Sequence, residues 1–131
     1  MFVDASALTA MLTDEHDSAE LAARLEHHAQ RTTSPIAVWE TVLAVARIVG
    51  LPVREAEALV ESYLKLMSIH VVAIPAEICT LAIDAFDRYG KSRHPAALNL
   101  GDCFAYACAR HSRVPLLYKG DDFARTDIET G

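Results

Sequence analysis

Four sites in this chain place carboxylates where a solvated helix face does not account for them: Asp4, Glu40, Asp102 and the pair Asp121-Asp122. Asp4 ends the abrupt apolar run Phe2-Val3, and ligands of open α/β sheets gather at the carboxyl ends of strands. It also suits a helix cap. Glu40 lies within Ile36-Ala37-Val38-Trp39-Glu40-Thr41-Val42-Leu43-Ala44, where apolar residues occupy almost every face of a helix. A lone carboxylate there is costly without a partner, and Arg47, two turns on, is the structural candidate. Asp102 precedes Cys103, Phe104, Ala105, Ala107 and Cys108, which read as buried, so a helix dipole or a cation must solvate it. Asp121 and Asp122 follow a strand beside Gly120 and would pass as turn residues.

Converging carboxylates repel one another unless divalent cations neutralise them, and hard oxygen ligands select Mg²⁺ or Mn²⁺ over zinc. Such a cation lowers the pKa of a bound water and neutralises charge on a phosphodiester, so hydrolysis of nucleic acid needs no protein nucleophile. Arg88, Lys91, Arg93 and His94, with Lys119 and Arg125, are the cations suited to flanking phosphates; each is equally well read as a solvated surface residue.

The elements that must position these groups follow from pattern. Phe2-Val3 reads as a buried first strand, and Ala5-Ser6-Ala7-Leu8 as a turn into a helix. Amphipathic periodicity predicts helices from Ser18 to Ala29 and from Arg54 to Met67. Thr32-Thr33 is extended. Ser34-Pro35 starts a helix that Gly50-Leu51-Pro52 stops. His70 to Ile74 is a β-branched run suited to a buried strand, and Pro75 opens a helix toward Tyr89-Gly90. A loop from Lys91 leads to Asn99, which caps a helix from Leu100 to His111, and Val114 to Tyr118 forms the last strand. Trp39 and Phe104 are assigned to the core. Strands alternating with helices imply an α/β domain, a short parallel sheet flanked by helices on both faces.

The chain has 131 residues, 52% hydrophobic and 23% charged, which fits one domain over 1–131 and excludes disordered or low-complexity classes. Twelve Lys plus Arg against 18 Asp plus Glu give a net charge of −6, which argues against holding nucleic acid by bulk charge alone. Carboxylate-held cations reverse that sign locally. Cys79, Cys103 and Cys108 are odd in number and lack the close spacing of a zinc pair, so reduced thiols in a cytoplasm are expected. No signal peptide and no membrane-spanning run is evident, so no membrane is expected. His27, His28 and His111 are not assigned as metal ligands, and no phosphate-binding glycine motif is present.

Met1-Phe2-Val3-Asp4-Ala5-Ser6-Ala7-Leu8, Trp39-Glu40, Asn99-Leu100-Gly101-Asp102-Cys103-Phe104-Ala105-Tyr106 and Leu116-Leu117-Tyr118-Lys119-Gly120-Asp121-Asp122-Phe123, in that order, resemble a PIN-domain ribonuclease of the VapC toxin type across essentially the whole chain. The Asn-x-Gly-Asp-Cys and Lys-Gly-x-Asp-Phe elements are the specific ones. The resemblance implies a Mg²⁺-dependent endoribonuclease toxin, with Mn²⁺ able to substitute, acting on RNA as a homodimer and paired with a VapB-type antitoxin. By carry-over Asp4, Glu40 and Asp102 are the main acids. The fourth lies at Asp121 or Asp122, with Asp122 matching the fixed acid of Lys-Gly-x-Asp-Phe, and Gly120 stands where many members carry theirs. Ser6 resembles the hydroxyl that orients the first acid, and Lys91, Arg93 and Lys119 are candidate RNA contacts.

Two other functions compete. A phosphorelay receiver shares the early acid and a late lysine, but Pro75-Ala76 stands after the central strand where its phospho-acceptor belongs. A catalytically silent PIN-like interaction module differs only in lacking the metal chemistry. In either PIN reading, the two amphipathic helices leave apolar surface for a partner helix, whose Arg or Lys would pair with the acids in place of the cation.

Overall fold

The computed structural model describes residues 1–131 as a four-stranded parallel sheet with helices on both faces. The strands are β1 (Phe2–Val3), β2 (Arg31–Thr33), β3 (Ile69–Val71) and β4 (Leu116–Leu117), in the order β3-β2-β1-β4. Parallel neighbours require crossovers, and these are the helices α1 (Ala5–Leu12), α2 (Ser18–Glu26), α3 (Pro35–Val49), α4 (Val53–Leu66), α5 (Glu77–Tyr89) and α6 (Leu100–Ser112).

Two-residue strands still divide the interior, because successive side chains leave opposite faces. Phe2 and Leu116 enter one core with Ile78, Leu98 and Tyr106 of the α5–α6 side, whereas Val3 and Leu117 enter another with Leu8, Leu25, Val45 and Val60 of the α1–α4 side. The register Phe2↔Leu116 and Val3↔Leu117 keeps both pairs aligned.

Local chemistry fixes the helix ends that matter. Ser34 Oγ accepts from Ala37 N at 3.1 Å, Pro35 fills the first turn, and Gly50 ends α3 at φ 76, a left-handed cap. Asn99 Oδ1 accepts from Asp102 N at 3.0 Å while Asp102 Oδ2 accepts from Asn99 N at 2.8 Å, a reciprocal capping box on α6.

Several expected boundaries move. α1 is a full helix of 8 residues where only a turn into a helix was expected, and α2 ends at Glu26 instead of Ala29. Of the run His70 to Ile74 only His70 and Val71 are in β3, which starts one residue earlier at Ile69 and forms the sheet edge with Val71 49% exposed, so it is not a buried strand. Pro75 and Ala76 precede α5, which begins at Glu77. The last strand contracts to Leu116–Leu117. Trp39 is 63% exposed and Phe104 half-buried, so neither belongs wholly to the core. No single helix is long and apolar enough to cross a membrane.

Candidate metal centre

The carboxyl end of β1 delivers Asp4 directly into a cleft between α1, α3 and the start of α6. Glu40 enters from α3 and Asp102 from the first turn of α6, so side chains separated widely in sequence line one cleft.

Asp4 is 3% exposed. Its Oδ2 accepts from Ser6 N at 2.9 Å and from Ser6 Oγ at 2.6 Å, and Ser6 Oγ in turn accepts from Lys119 N at 3.0 Å. Asp4 therefore caps α1 and faces the cleft at once, so the two placements are compatible. Burial pushes its carboxyl above the usual range despite the Ser6 bonds. Glu40 rises to about 7, first through burial and then through the charges of Asp4 and Asp102. Asp102 rises to about 6, again mainly through burial, with Asp4 and Asp122 adding repulsion against the Asn99 bond that lowers it. The capping box leaves Asp102 Oδ1 uncommitted. These acids feel one another, as independent caps would not.

Glu40 makes no ion pair with Arg47, which corrects the expectation that Arg47 compensates it; Arg47 is exposed and lines the same cleft without a carboxylate partner. What lets Glu40 approach is Gly101. A Cβ built at Gly101 would run into both oxygens of the Glu40 carboxylate, so the glycine surrenders its side-chain space to the acid. Within Asn-x-Gly-Asp-Cys the sequence alone assigns Gly101 no role, because the approach of α3 is invisible along the chain.

Of the two late acids, Asp122 is the one whose charge reaches Asp102; both are exposed, and neither lines the cleft wall. Of the basic candidates, Lys119 lines the cleft, but its ammonium is held by Glu15 and by Asp17, the latter at 3.1 Å. Arg93 pairs with Asp87 at 2.8 Å, and Arg88 with Asp127 at 3.1 Å. Lys91 is exposed, and neither it nor Arg93 lines the acidic cleft.

The donors are all oxygen, drawn from carboxylates that disfavour one another's charge, and that set suits a hard divalent cation. Their present rotamers do not form a closed cage of three or more ligating side chains. Burial pushes the thiols of Cys103 and Cys108 up to about 11, which leaves both as inert core groups.

A family model described as the PIN domain matches residues 1–129. The chain is 40% identical to a VapC ribonuclease of Rhizobium meliloti, covering 97% of this chain and 98% of that one. It is 41% identical to ribonuclease VapC30 of Mycobacterium tuberculosis over 99% and 97% of the two chains. Among solved structures, Mycobacterium tuberculosis VapC20, described as a sarcin-ricin loop cleaving toxin, superposes with a TM-score of 0.75 over 97% of this chain and 95% of that one; at 18% identity it speaks for the fold.

Proposed function

This chain belongs to the PIN-domain family, and from that premise we propose that it is a Mg²⁺-dependent endoribonuclease, the toxin of a toxin–antitoxin pair, working in the cytoplasm. Its relatives named VapC ribonucleases support the activity. The observation that carries the site assignment is the convergence of Asp4, Glu40 and Asp102 on one cleft, with two of the three pushed up partly by the others' charge.

Asp4, Glu40 and Asp102 would hold the cation, with Asp122 at the rim. Bound there, Mg²⁺ supplies Lewis acidity toward the phosphodiester and acidifies water for attack. Ser6 keeps Asp4 in one rotamer through two hydrogen bonds. Gly101 gives Glu40 its room. Arg47, free of any ion pair, holds a phosphate flanking the scissile one, a role that Lys119 fills poorly because it would have to leave two carboxylates.

Two apolar faces fit the expected protein partners. Trp39 and Leu43 on α3, with Val53 on α4, are exposed beside Glu40, and we assign this face to an antitoxin helix whose basic residue reaches the acids. The groove between α5 and α6, lined entirely by apolar side chains including Ile83, Phe86 and Leu100, is assigned to the second copy of a homodimer. Sedimentation of Phe86→Asp should then show a monomer.

Calorimetric titration with Mn²⁺ tests the centre. The wild type should bind, and Asp102→Asn should bind at least about tenfold more weakly. Equal binding by both would leave the silent interaction module as the better reading.

A further inference from the structure

Lys119 lines the acidic cleft yet is not available to it. Its ammonium is gripped by Glu15 and Asp17, residues of the connection between α1 and α2, and its side chain is only 25% exposed. The partner Glu15 stands 104 residues away in sequence, so this contact ties the end of β4 across to the α1–α2 turn. The backbone of the same residue does something else. Lys119 N donates to Ser6 Oγ at 3.0 Å, and Ser6 Oγ donates to Asp4 Oδ2 at 2.6 Å. Lys119 is followed by Gly120 at φ 95, a sharp turn that carries the chain on to Asp121 and Asp122.

We propose that Lys119 is a positioning residue: its paired ammonium latches the β4 end to the α1–α2 turn, so that its own amide stays aimed at Ser6 and Ser6 holds Asp4 for the cation. The inference rests on the metal-centre reading above and deepens it. Ser6 alone cannot fix its hydroxyl, because a hydroxyl rotates to suit its neighbours. A donor from Lys119 occupies the acceptor side of Ser6 Oγ and leaves its proton for Asp4. An unlatched turn containing Gly120 would let that donor wander.

The sign of the effect separates this role from simple electrostatics. Replacing Lys119 with glutamine makes the cleft more negative, so charge alone would tighten cation binding. The latch demands the opposite. In calorimetric titrations of the full chain, Lys119→Gln should bind Mn²⁺ about tenfold more weakly, as loss of an outer partner of a metal ligand does. Glu15→Gln should also weaken it, the double variant should be no worse than the weaker single one, and Lys119→Arg should restore most of the affinity. Amide hydrogen exchange in chelator gives a second readout: Lys119→Gln should speed exchange at Lys119, the position now carrying Gln, and at Ser6, while the α6 amides stay unchanged. If Lys119→Gln binds Mn²⁺ as tightly as wild type or more so, or raises only the KM for RNA, the latch is wrong and the lysine serves as a direct phosphate contact. Should the wild type itself bind no Mn²⁺, the metal-centre reading fails, and unchanged exchange at Ser6 and position 119 would still overturn the latch by itself.

Discussion

Two groups of acids sit at different places in this fold and experience opposite fates. Asp127 accepts from Tyr106 Oη at 2.5 Å and from Arg88 at 3.1 Å, and these partners, the Tyr106 bond foremost, hold its carboxyl down to about 2. Glu40 and Asp102 instead rise to about 7 and about 6, with like charges for neighbours and no cation paired to either. Asp127 straps the C-terminal segment to α5 and α6 and gains stability from being charged. The cleft acids lose stability by being charged, a cost that persists in a fold when the arrangement serves a ligand.

The sharpest way to break the contrast is Gly101→Ala. In an ordinary helix this substitution stabilises by about 1 kcal/mol. Here the new methyl meets the end of a flexible side chain, so Glu40 swings away at little cost to the fold. Cleavage should fall by about 10- to 100-fold, since displacing a ligand by about 1 Å is enough for that, while the melting temperature hardly drops. Full activity in this variant would show that Glu40 need not approach Gly101.

A second pair of variants compares the two regions by stability in chelator. Asp127→Ala removes the acceptor of buried Tyr106 and should cost about 1–2 kcal/mol, discounted because Asp127 is itself 43% exposed. Glu40→Gln removes a repelling charge and should leave the melting temperature level or higher. If Glu40→Gln destabilises as much as Asp127→Ala, the cleft acid is structural after all.

The pH dependence of metal-free stability follows from the same contrast. Glu40 and Asp102 titrate higher in the folded chain than their ordinary 4.5 and 3.8, so the native state binds more protons between about pH 4 and pH 7. Stability from this source is present at the acid end of that window and is lost as pH rises through it. Asp127 works in reverse: its folded value of about 2 lies below the ordinary 3.8, so its contribution is present above pH 4 and lost as pH falls toward 2. Melting temperatures in chelator should therefore peak near pH 4–5 and decline by a few degrees toward pH 8, and saturating Mg²⁺ should flatten the decline. A curve that climbs steadily to pH 8 in chelator would contradict the repulsion. The smallest effect distinguishes the two late acids: Asp122→Ala should cost more cleavage activity than Asp121→Ala, because it is Asp122 whose charge reaches Asp102.

Much of this centre was legible along the chain, for reasons that are local. An acid that truncates an apolar strand, as Asp4 does, has only a cap or a cleft to go to, and it uses both. Asn99 and Asp102 announce a helix start through their three-residue spacing. What stayed hidden depends on elements that meet only in three dimensions. Glu40 and Arg47 share α3 and line one cleft, yet they form no ion pair, and side-chain rotamers of that kind are not written in the spacing. The ion pairs of Lys119 with Glu15 and Asp17 join the segment after β4 to the α1–α2 turn, and no periodicity encodes them. Trp39 belongs to an apolar run, and hydrophobicity alone could not show that its side of α3 is left uncovered. The β-branched run at His70 to Ile74 misled similarly, because the same residues suit a buried strand and the exposed edge that they form.

The most direct test of the metal-dependent ribonuclease centre is to measure RNA cleavage by wild type and Asp102→Asn in Mg²⁺ and in chelator, with the metal-free melting temperature of each protein recorded beside it. Wild type should cleave only with the cation. Asp102→Asn should lose at least about 100-fold in rate while melting within a few degrees of wild type, because a ligand has gone and a repulsion with it. Cleavage by wild type in excess chelator, or by a folded Asp102→Asn at a rate within a few-fold of wild type, would contradict the account.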